Sequence, residues 1–189
     1  MENEITVKIN CSILELNEIL QSKNFRIIEK FYLDDIYYIP KELQINNMSV
    51  RDILSKAIIL RKVIESYPDK KRNFKLTVKK KEINEKGDIV KQSKTNCEIL
   101  DEKSGKAFLE AIGYKELINI KENDIVYEKD DLHIAIKDIE NGDKLIEVEE
   151  NKKYDCVDKL IDELKKLKLP IYSNDYFVKK AEIELRKIL

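Results

Sequence analysis

The sequence predicts an α+β protein: a single closed eight-stranded antiparallel β-barrel, hollow as a tunnel, with helices packed outside it. Three observations support this prediction. About eight segments have strand character and are mostly joined by short turns. Several of them carry aliphatic residues on one face and charged residues on the other. Helical segments occur at intervals and could cover the apolar outer faces, which leaves the charges facing a polar interior.

Length and composition favour one domain, residues 1–189, in which 1–150 hold the tunnel strands with interspersed helices and 151–189 form a C-terminal helical cover. The chain has 37 acidic and 36 basic residues, so its net charge gives no reason to expect a nucleic-acid or membrane partner. Only 4 residues are glycine, which argues against a glycine-rich phosphate-binding loop.

The cysteines are Cys11, Cys97 and Cys156, far apart and without a CxxC pair, and His133 is the single histidine. A Cys/His zinc site is therefore not expected, and His133 is interpreted as incidental. Reduced thiols and charges throughout the first twenty residues predict a cytoplasmic protein without a signal peptide. No apolar run approaches membrane-spanning length.

The predicted strands alternate apolar and polar residues or are rich in β-branched residues. They are about 3–10, 25–31, 33–39, 57–65, 74–81, 89–99, 117–128, 132–139 and 144–150. Helix and strand compete over 57–65. A strand is favoured there because it puts Ile58, Leu60 and Ile64 on one face and Arg61 on the other.

Capping signals and helical spacing of apolar residues predict the helices. They are about 12–21, 49–56, 104–112, 155–168 and 174–188. Gly113 is placed to end the third helix, and a hairpin turn is predicted at 84–88. The two C-terminal helices are interpreted as barrel cover, and a homodimer interface on them is left open.

The first and last strands carry the strongest pattern, and we expect them to pair. Alternation puts Ile5, Val7, Ile146 and Val148 against the helical layer. The polar side chains of the same strands then face the interior. They are Glu4, Thr6, Lys8, Glu147 and Glu149.

An ordered set of short motifs runs through the chain. They are Glu4–Ile5–Thr6–Val7–Lys8, Asp35–Ile36–Tyr37–Tyr38, Leu60–Arg61, Leu76–Thr77–Val78–Lys79, Glu147–Val148–Glu149 and Ser173–Asn174–Asp175–Tyr176. In this order the chain resembles the CYTH superfamily of triphosphate tunnel enzymes over roughly residues 2–180. That family includes class IV adenylate cyclases, thiamine triphosphatases and inorganic triphosphatases. No single motif is specific, but the ordered set is.

The resemblance implies a function and a set of site residues. Cations would bind the phosphates, and they are Lys8, Arg61, Lys79, Lys81, Lys94 and Lys121. Carboxylates would be catalytic and would bind Mg²⁺ or Mn²⁺: Glu4, Glu147 and Glu149, with Asp138 as a further metal ligand. The substrate would be a triphosphate compound such as ATP, thiamine triphosphate or inorganic polyphosphate.

The chain departs from the family pattern at positions that matter for catalysis. Thr6 stands in place of a second glutamate, Val63 in place of a second arginine, and Asn123 in place of an arginine. Lys137 stands where an aspartate is common. The sequence therefore leaves open a cyclase, a hydrolase, or a non-catalytic protein that binds nucleotide or polyphosphate in the same tunnel.

Overall fold

A computed structural model describes the backbone of residues 4–83 and 89–189 and the side chains of 4–80 and 93–189. The strands are β1 Glu4–Lys8, β2 Arg26–Pro40, β3 Ile58–Tyr67, β4 Lys71–Ile83, β5 Ile89–Ile99, β6 Tyr114–Lys129, β7 Leu132–Ile139 and β8 Lys144–Glu149. The helices are α1 Ile13–Ser22, α2 Val50–Ser55, α3 Glu102–Ala111, α4 Val157–Leu167 and α5 Lys180–Arg186. The hairpin turn predicted at 84–88 lies outside the described residues.

Most predicted elements are confirmed, including the strand at 57–65. Ser12 and Ser49 cap α1 and α2, each accepting a hydrogen bond at 3.1 Å from the backbone N–H three residues later. Gly113 follows α3 with a φ of 84°. Two boundaries were wrong. The segments 25–31 and 33–39 form one continuous strand, and the last helix begins at Lys180 rather than near 174.

The eight strands form one antiparallel sheet in the order β1-β8-β7-β6-β2-β3-β4-β5. The prediction of a closed barrel is not confirmed, because no hydrogen-bonded pairing joins the described parts of β1 and β5. The outer edge of β1 is instead covered by the segment 170–178. The Thr6 N–H donates to the Tyr176 carbonyl at 2.9 Å, and the Val178 N–H donates to the Thr6 carbonyl at 3.0 Å. This pairing also explains why the last helix starts late.

The outer face of the sheet is apolar and lies under helices, as the alternation predicted. Ile5, Val7, Ile146 and Val148 are all buried in the largest core cluster. The same cluster takes in the apolar side of α1 and α4, including Leu16, Leu20, Leu160 and Leu164. Burial on this side fixes the register of β1 and β8, since a shift of one residue would turn their charges into the core.

The other helices cover the rest of the sheet. Leu109 of α3 packs with Ile36, Tyr38 and Leu60 on the outer side of β2 and β3. Residues of α2 and α5 pack with Tyr37, Ile59 and Leu145 in a separate cluster, which closes one side of the concave face. None of the described helices is both long and apolar enough to cross a membrane. All three cysteines are free thiols.

Candidate functional site

Three carboxylates converge at the concave side of β1 and β8. The register pairs Glu4 with Glu149 and Thr6 with Glu147. One carboxylate oxygen from each of Glu4, Glu147 and Glu149 lies within 4.8 Å of the other two. We call these three residues the metal triad, because carboxylate oxygens that come this close together could hold a divalent cation such as Mg²⁺ or Mn²⁺. Among the described residues, this is the one group of three potential metal ligands that comes so close together.

Lys94 of β5 reaches across to this triad. Its Nζ lies 3.6 Å from a Glu4 oxygen and 3.5 Å from a Glu149 oxygen. Burial lowers the pKa of Lys94, but Glu4 and Glu149 outweigh that effect and hold it above its ordinary value. Side chains therefore connect the two edge strands that the hydrogen-bond ladder leaves separate.

Arg61 forms a two-pronged ion pair with Asp35 across β2 and β3. Its Nε donates to Oδ1 and its Nη2 to Oδ2, each at 2.6 Å. Asp35 is 1% exposed, and burial alone would raise the pKa of its carboxyl. The neighbouring Arg61 more than offsets this and holds that pKa below its usual value. Asp35 thereby fixes the guanidinium plane while the remaining donors of Arg61 stay available.

A third charged group lies deeper, between β6, β7 and β8. The Lys137 Nζ is 2.9 Å from Asp124, 3.3 Å from Glu147 and 3.6 Å from Glu122. Burial works against the Lys137 ammonium, but the three carboxylates raise its pKa well above the ordinary value. Burial raises the pKa of Asp124 to about 6, in opposition to Lys137.

Helix α5 supplies a cation that the sequence reasoning missed. Lys180 stands at the start of α5, and its Nζ lies 2.7 Å from the buried Glu122. Arg51 of α2 bonds to Glu182 of α5 at 3.1 Å, which ties the two short helices together. Nothing in the lysine-rich tail distinguishes Lys180 from its neighbours, because its role arises from the packing of α5 against the sheet.

Lys79 projects into the same space from β4. Among the described side chains, no carboxylate lies within ion-pairing distance of it. Burial and the nearby Arg61 lower its pKa to about 8. On the same strand, the buried Thr77 hydroxyl bonds to Asn96 of β5 at 2.8 Å. This bond holds β4 and β5 in register beside Lys79.

These groups line two cavities of opposite charge. The cationic cavity, about 520 Å³, is bounded by the sheet, α2 and α5 and includes Arg61, Lys79, Lys94 and Lys180. Its described lining has eight basic and four acidic residues. The acidic cavity, about 720 Å³, has six acidic residues and three lysines in its described lining. Those acidic residues are Glu29, Asp124, Asp131, Glu147, Glu149 and Glu150. Lys137 and Glu147 line both cavities and stand between them.

Three predicted site residues with described side chains line neither cavity. Lys121 lies on the opposite face of β6 from the buried Glu122, opposite Asp34 in the register. Asp138 likewise lies on the face of β7 opposite to that of Lys137, and its carboxylate is 3.6 Å from the ammonium of Lys144. Their expected places in the interior were wrong because a displacement of one residue changes the face of a strand.

Lys8 is the third such residue. Its ammonium bonds to Asp143 in the β7–β8 turn at 2.6 Å, and it lines neither cavity. The side chain of Lys81 lies outside the described side chains, so its predicted contact with phosphate stays a prediction. His133 is more than half exposed and pairs with Glu128 at 3.1 Å. Tyr37 is buried and lines the cationic cavity.

The eight-stranded α+β fold with this topology is shared with known proteins over nearly the whole chain. No family model matches the sequence. A protein of Methanocaldococcus jannaschii named "Putative adenylate cyclase" is 26% identical over 193 aligned residues, which cover 98% of each chain.

Two solved structures illustrate the shared fold. A protein of Pyrococcus horikoshii OT3 has a TM-score of 0.71 and 21% identity, with 99% of each chain covered. A Hippeastrum protein, described as a putative adenylyl cyclase with a dominant triphosphatase activity, has a TM-score of 0.62 and 15% identity. In that case 99% of this chain and 96% of the other are covered. These similarities show a common fold.

Proposed function

We propose that the protein is a divalent-metal-dependent enzyme of the CYTH type that acts on a triphosphate compound in the cationic cavity. The observation that carries the proposal is the metal triad placed directly beside an excess of basic side chains. A triphosphate carries about four negative charges and is bound in proteins by several cations together with one or two carboxylate-bound metal ions. The cations and the carboxylates that such a site needs lie next to each other along β1, β8 and β5.

Each residue has a role that follows from its geometry. Arg61, oriented by Asp35, offers its remaining N–H donors to phosphate oxygens, while Lys79 and Lys94 supply ammonium groups. Glu4, Glu147 and Glu149 would hold Mg²⁺ or Mn²⁺, which supplies Lewis-acid stabilisation of charge on the phosphoryl oxygens. Positioning of this kind is most of what an enzyme contributes to phosphoryl transfer.

The reaction branch depends on which oxygen attacks the phosphorus. Attack by water gives a triphosphatase, and attack by a ribose 3′-oxygen on the α-phosphorus gives an adenylate cyclase. The names of the Methanocaldococcus relative and the Hippeastrum structure support a triphosphate substrate for either branch. The substrate could thus be ATP, thiamine triphosphate or inorganic polyphosphate.

A second candidate is a protein that binds nucleotide or polyphosphate without turnover. The observation that favours it is Thr6, which pairs with Glu147 at an interior position where a carboxylate would complete a larger metal site. The Lys137 ammonium also lies 3.3 Å from a carboxylate oxygen of Glu147, where it would compete with a metal ion for that oxygen.

Turnover assays separate the two candidates. ATP, thiamine triphosphate and tripolyphosphate are each incubated with Mg²⁺, with Mn²⁺ and with EDTA, and released phosphate and cyclic AMP are measured. The enzyme proposal expects product from at least one substrate and none with EDTA. Absence of product, together with a rise in melting temperature on adding triphosphate, would replace it by the binding candidate. Neither product nor stabilisation would contradict both.

A further inference from the structure

A second set of carboxylates surrounds the ammonium of Lys137. The inner carboxylate set consists of Glu122, Asp124 and Glu147, whose oxygens lie 3.6, 2.9 and 3.3 Å from the Lys137 Nζ. The side chains of Glu122 and Asp124 are 1% and 0% exposed, and that of Lys137 is 10% exposed. Solvent therefore contributes little to balancing their charges.

The inner carboxylate set has more capacity for a cation than it uses. Glu122 Oε2 and Asp124 Oδ1 are buried and have no hydrogen-bond partner. Lys180 does not change this, because its ammonium contacts Glu122 Oε1, the same oxygen that faces Lys137. Buried acceptors are normally satisfied, so two unsatisfied carboxylate oxygens in one cluster are unusual.

Carboxylates are the ligands that a divalent cation takes, and two fully buried ones and the partly buried Glu147 surround this point. Their oxygens are spread more widely around it than those of the metal triad. Here the point holds the Lys137 ammonium, which donates a hydrogen bond to Asp124 at 2.9 Å and forms ion pairs with Glu147 and Glu122. A metal ion would need oxygens of the same carboxylates at about 2.0–2.6 Å. These carboxylates would have to close in on the point that the ammonium occupies, so the ammonium and an ion cannot be bound there together.

We infer that the Lys137 ammonium takes the place of a divalent cation in the inner carboxylate set and so limits the interior to one metal ion, at the metal triad. Lys137 is then a positioning residue. It contacts Glu147, which belongs to both the inner carboxylate set and the metal triad, and it holds that carboxylate in its place in the triad. The single ion at the metal triad rests on the proposed function, whereas the role of Lys137 in the inner set does not.

The test counts bound metal ions with Mn²⁺ alone as the probe. Isothermal titration calorimetry and electron paramagnetic resonance are applied to the wild-type chain and to the variants Lys137→Met and Lys180→Met. We expect one ion in the wild type and two in Lys137→Met. Lys180→Met is the matched control: it also removes an ammonium from Glu122 but leaves Lys137 in place, so we expect one ion. Lys137→Arg should restore the wild-type count.

The outcomes distinguish this inference from the proposed function. An ion count in folded Lys137→Met equal to that of the wild type would overturn the inference. No ion in the wild type but one in Lys137→Met would refute the metal triad and still support the inner set. Where Lys137→Met does not fold, Lys137→Gln keeps an amide donor among the carboxylates, and the same gain of one ion is expected. If Lys137→Met and Lys137→Gln fold only in the presence of Mn²⁺, that requirement supports the inference. If neither variant folds even with Mn²⁺, the inference is contradicted.

Discussion

The two cavities are built on the same sheet but carry opposite charge. The cationic cavity has twice as many basic as acidic residues in its described lining, and the acidic cavity has twice as many acidic residues as lysines. The chain as a whole is almost neutral, with a formal net charge of −1. Net charge thus conceals a strong separation of charge inside the molecule. An anionic ligand is directed to one cavity, and the Lys137–Glu147 pair marks the boundary.

The largest expected effect comes from a carboxylate at the boundary. Glu147→Gln should lower metal-dependent turnover by about 100-fold or more, since it removes a charged ligand from the metal triad. The matched control is Glu29→Gln, which lines the acidic cavity but lies outside the triad. Its turnover should stay within about twofold of the wild type. Equal losses in both variants would show that the two cavities do not differ in function.

Arg61 tests whether the cationic cavity binds phosphate or only holds the sheet together. Arg61→Met leaves the carboxylate of Asp35 buried without its partner and should lower the free energy of unfolding by about 3–5 kcal/mol. The double variant with Asp35→Leu should recover most of that stability in urea unfolding. Its affinity for tripolyphosphate should still be at least about tenfold weaker, because a charge-assisted phosphate contact is missing. Wild-type affinity in the double variant would restrict Arg61 to a structural role.

The lowered pKa of Lys79 predicts that the affinity of the cationic cavity for phosphate depends on pH. Its pKa is lowered to about 8, so below that pH the ammonium form prevails and binds phosphate. Affinity for tripolyphosphate should fall as the pH rises above about 8, by up to about tenfold per unit. Calorimetry at pH 7, 8 and 9 without metal measures this. Lys79→Met should bind more weakly at pH 7 and lose the dependence, while the exposed Lys80→Met should retain it. A flat profile in the wild type would contradict the assignment.

The smallest effect is expected on the outer face. Lys121→Met and Asp138→Asn should change tripolyphosphate affinity and metal-dependent turnover by less than about twofold, because both side chains point away from the cavities. A large loss in either variant would show that the interior extends beyond the concave face.

The sequence predicted the parts of the site that depend on strand alternation alone. Glu4, Glu147 and Glu149 meet because β1 and β8 pair with their apolar faces under α1 and α4. Alternation also put Arg61 on the interior face of β3. These features need only a period of two and a known core face.

Other features depend on contacts between distant segments and could not be predicted. Lys180 reaches Glu122 only because α5 packs against the sheet, and Asp35 meets Arg61 only through the register of β2 with β3. Lys121 and Asp138 were misplaced because the exact register of β6 and β7 cannot be read from a single sequence. The closed barrel is not confirmed, and the edge of β1 is covered by the segment 170–178, of which residues 174–178 were predicted as the start of a helix.

Among the described side chains, Lys94 joins the two edge strands of this sheet. Lys94 on β5 contacts Glu4 on the other edge strand, β1, and Glu149 on the neighbouring β8, and both carboxylates belong to the metal triad. A cation bound at the triad would compete with Lys94 for the same oxygens, and a phosphate would attract the ammonium that is released. Binding of a metal ion and a phosphate would then replace the direct ion pairs between Lys94 and the two glutamates by contacts through the ligand. The distance between β1 and β5 would then depend on the bound ligand.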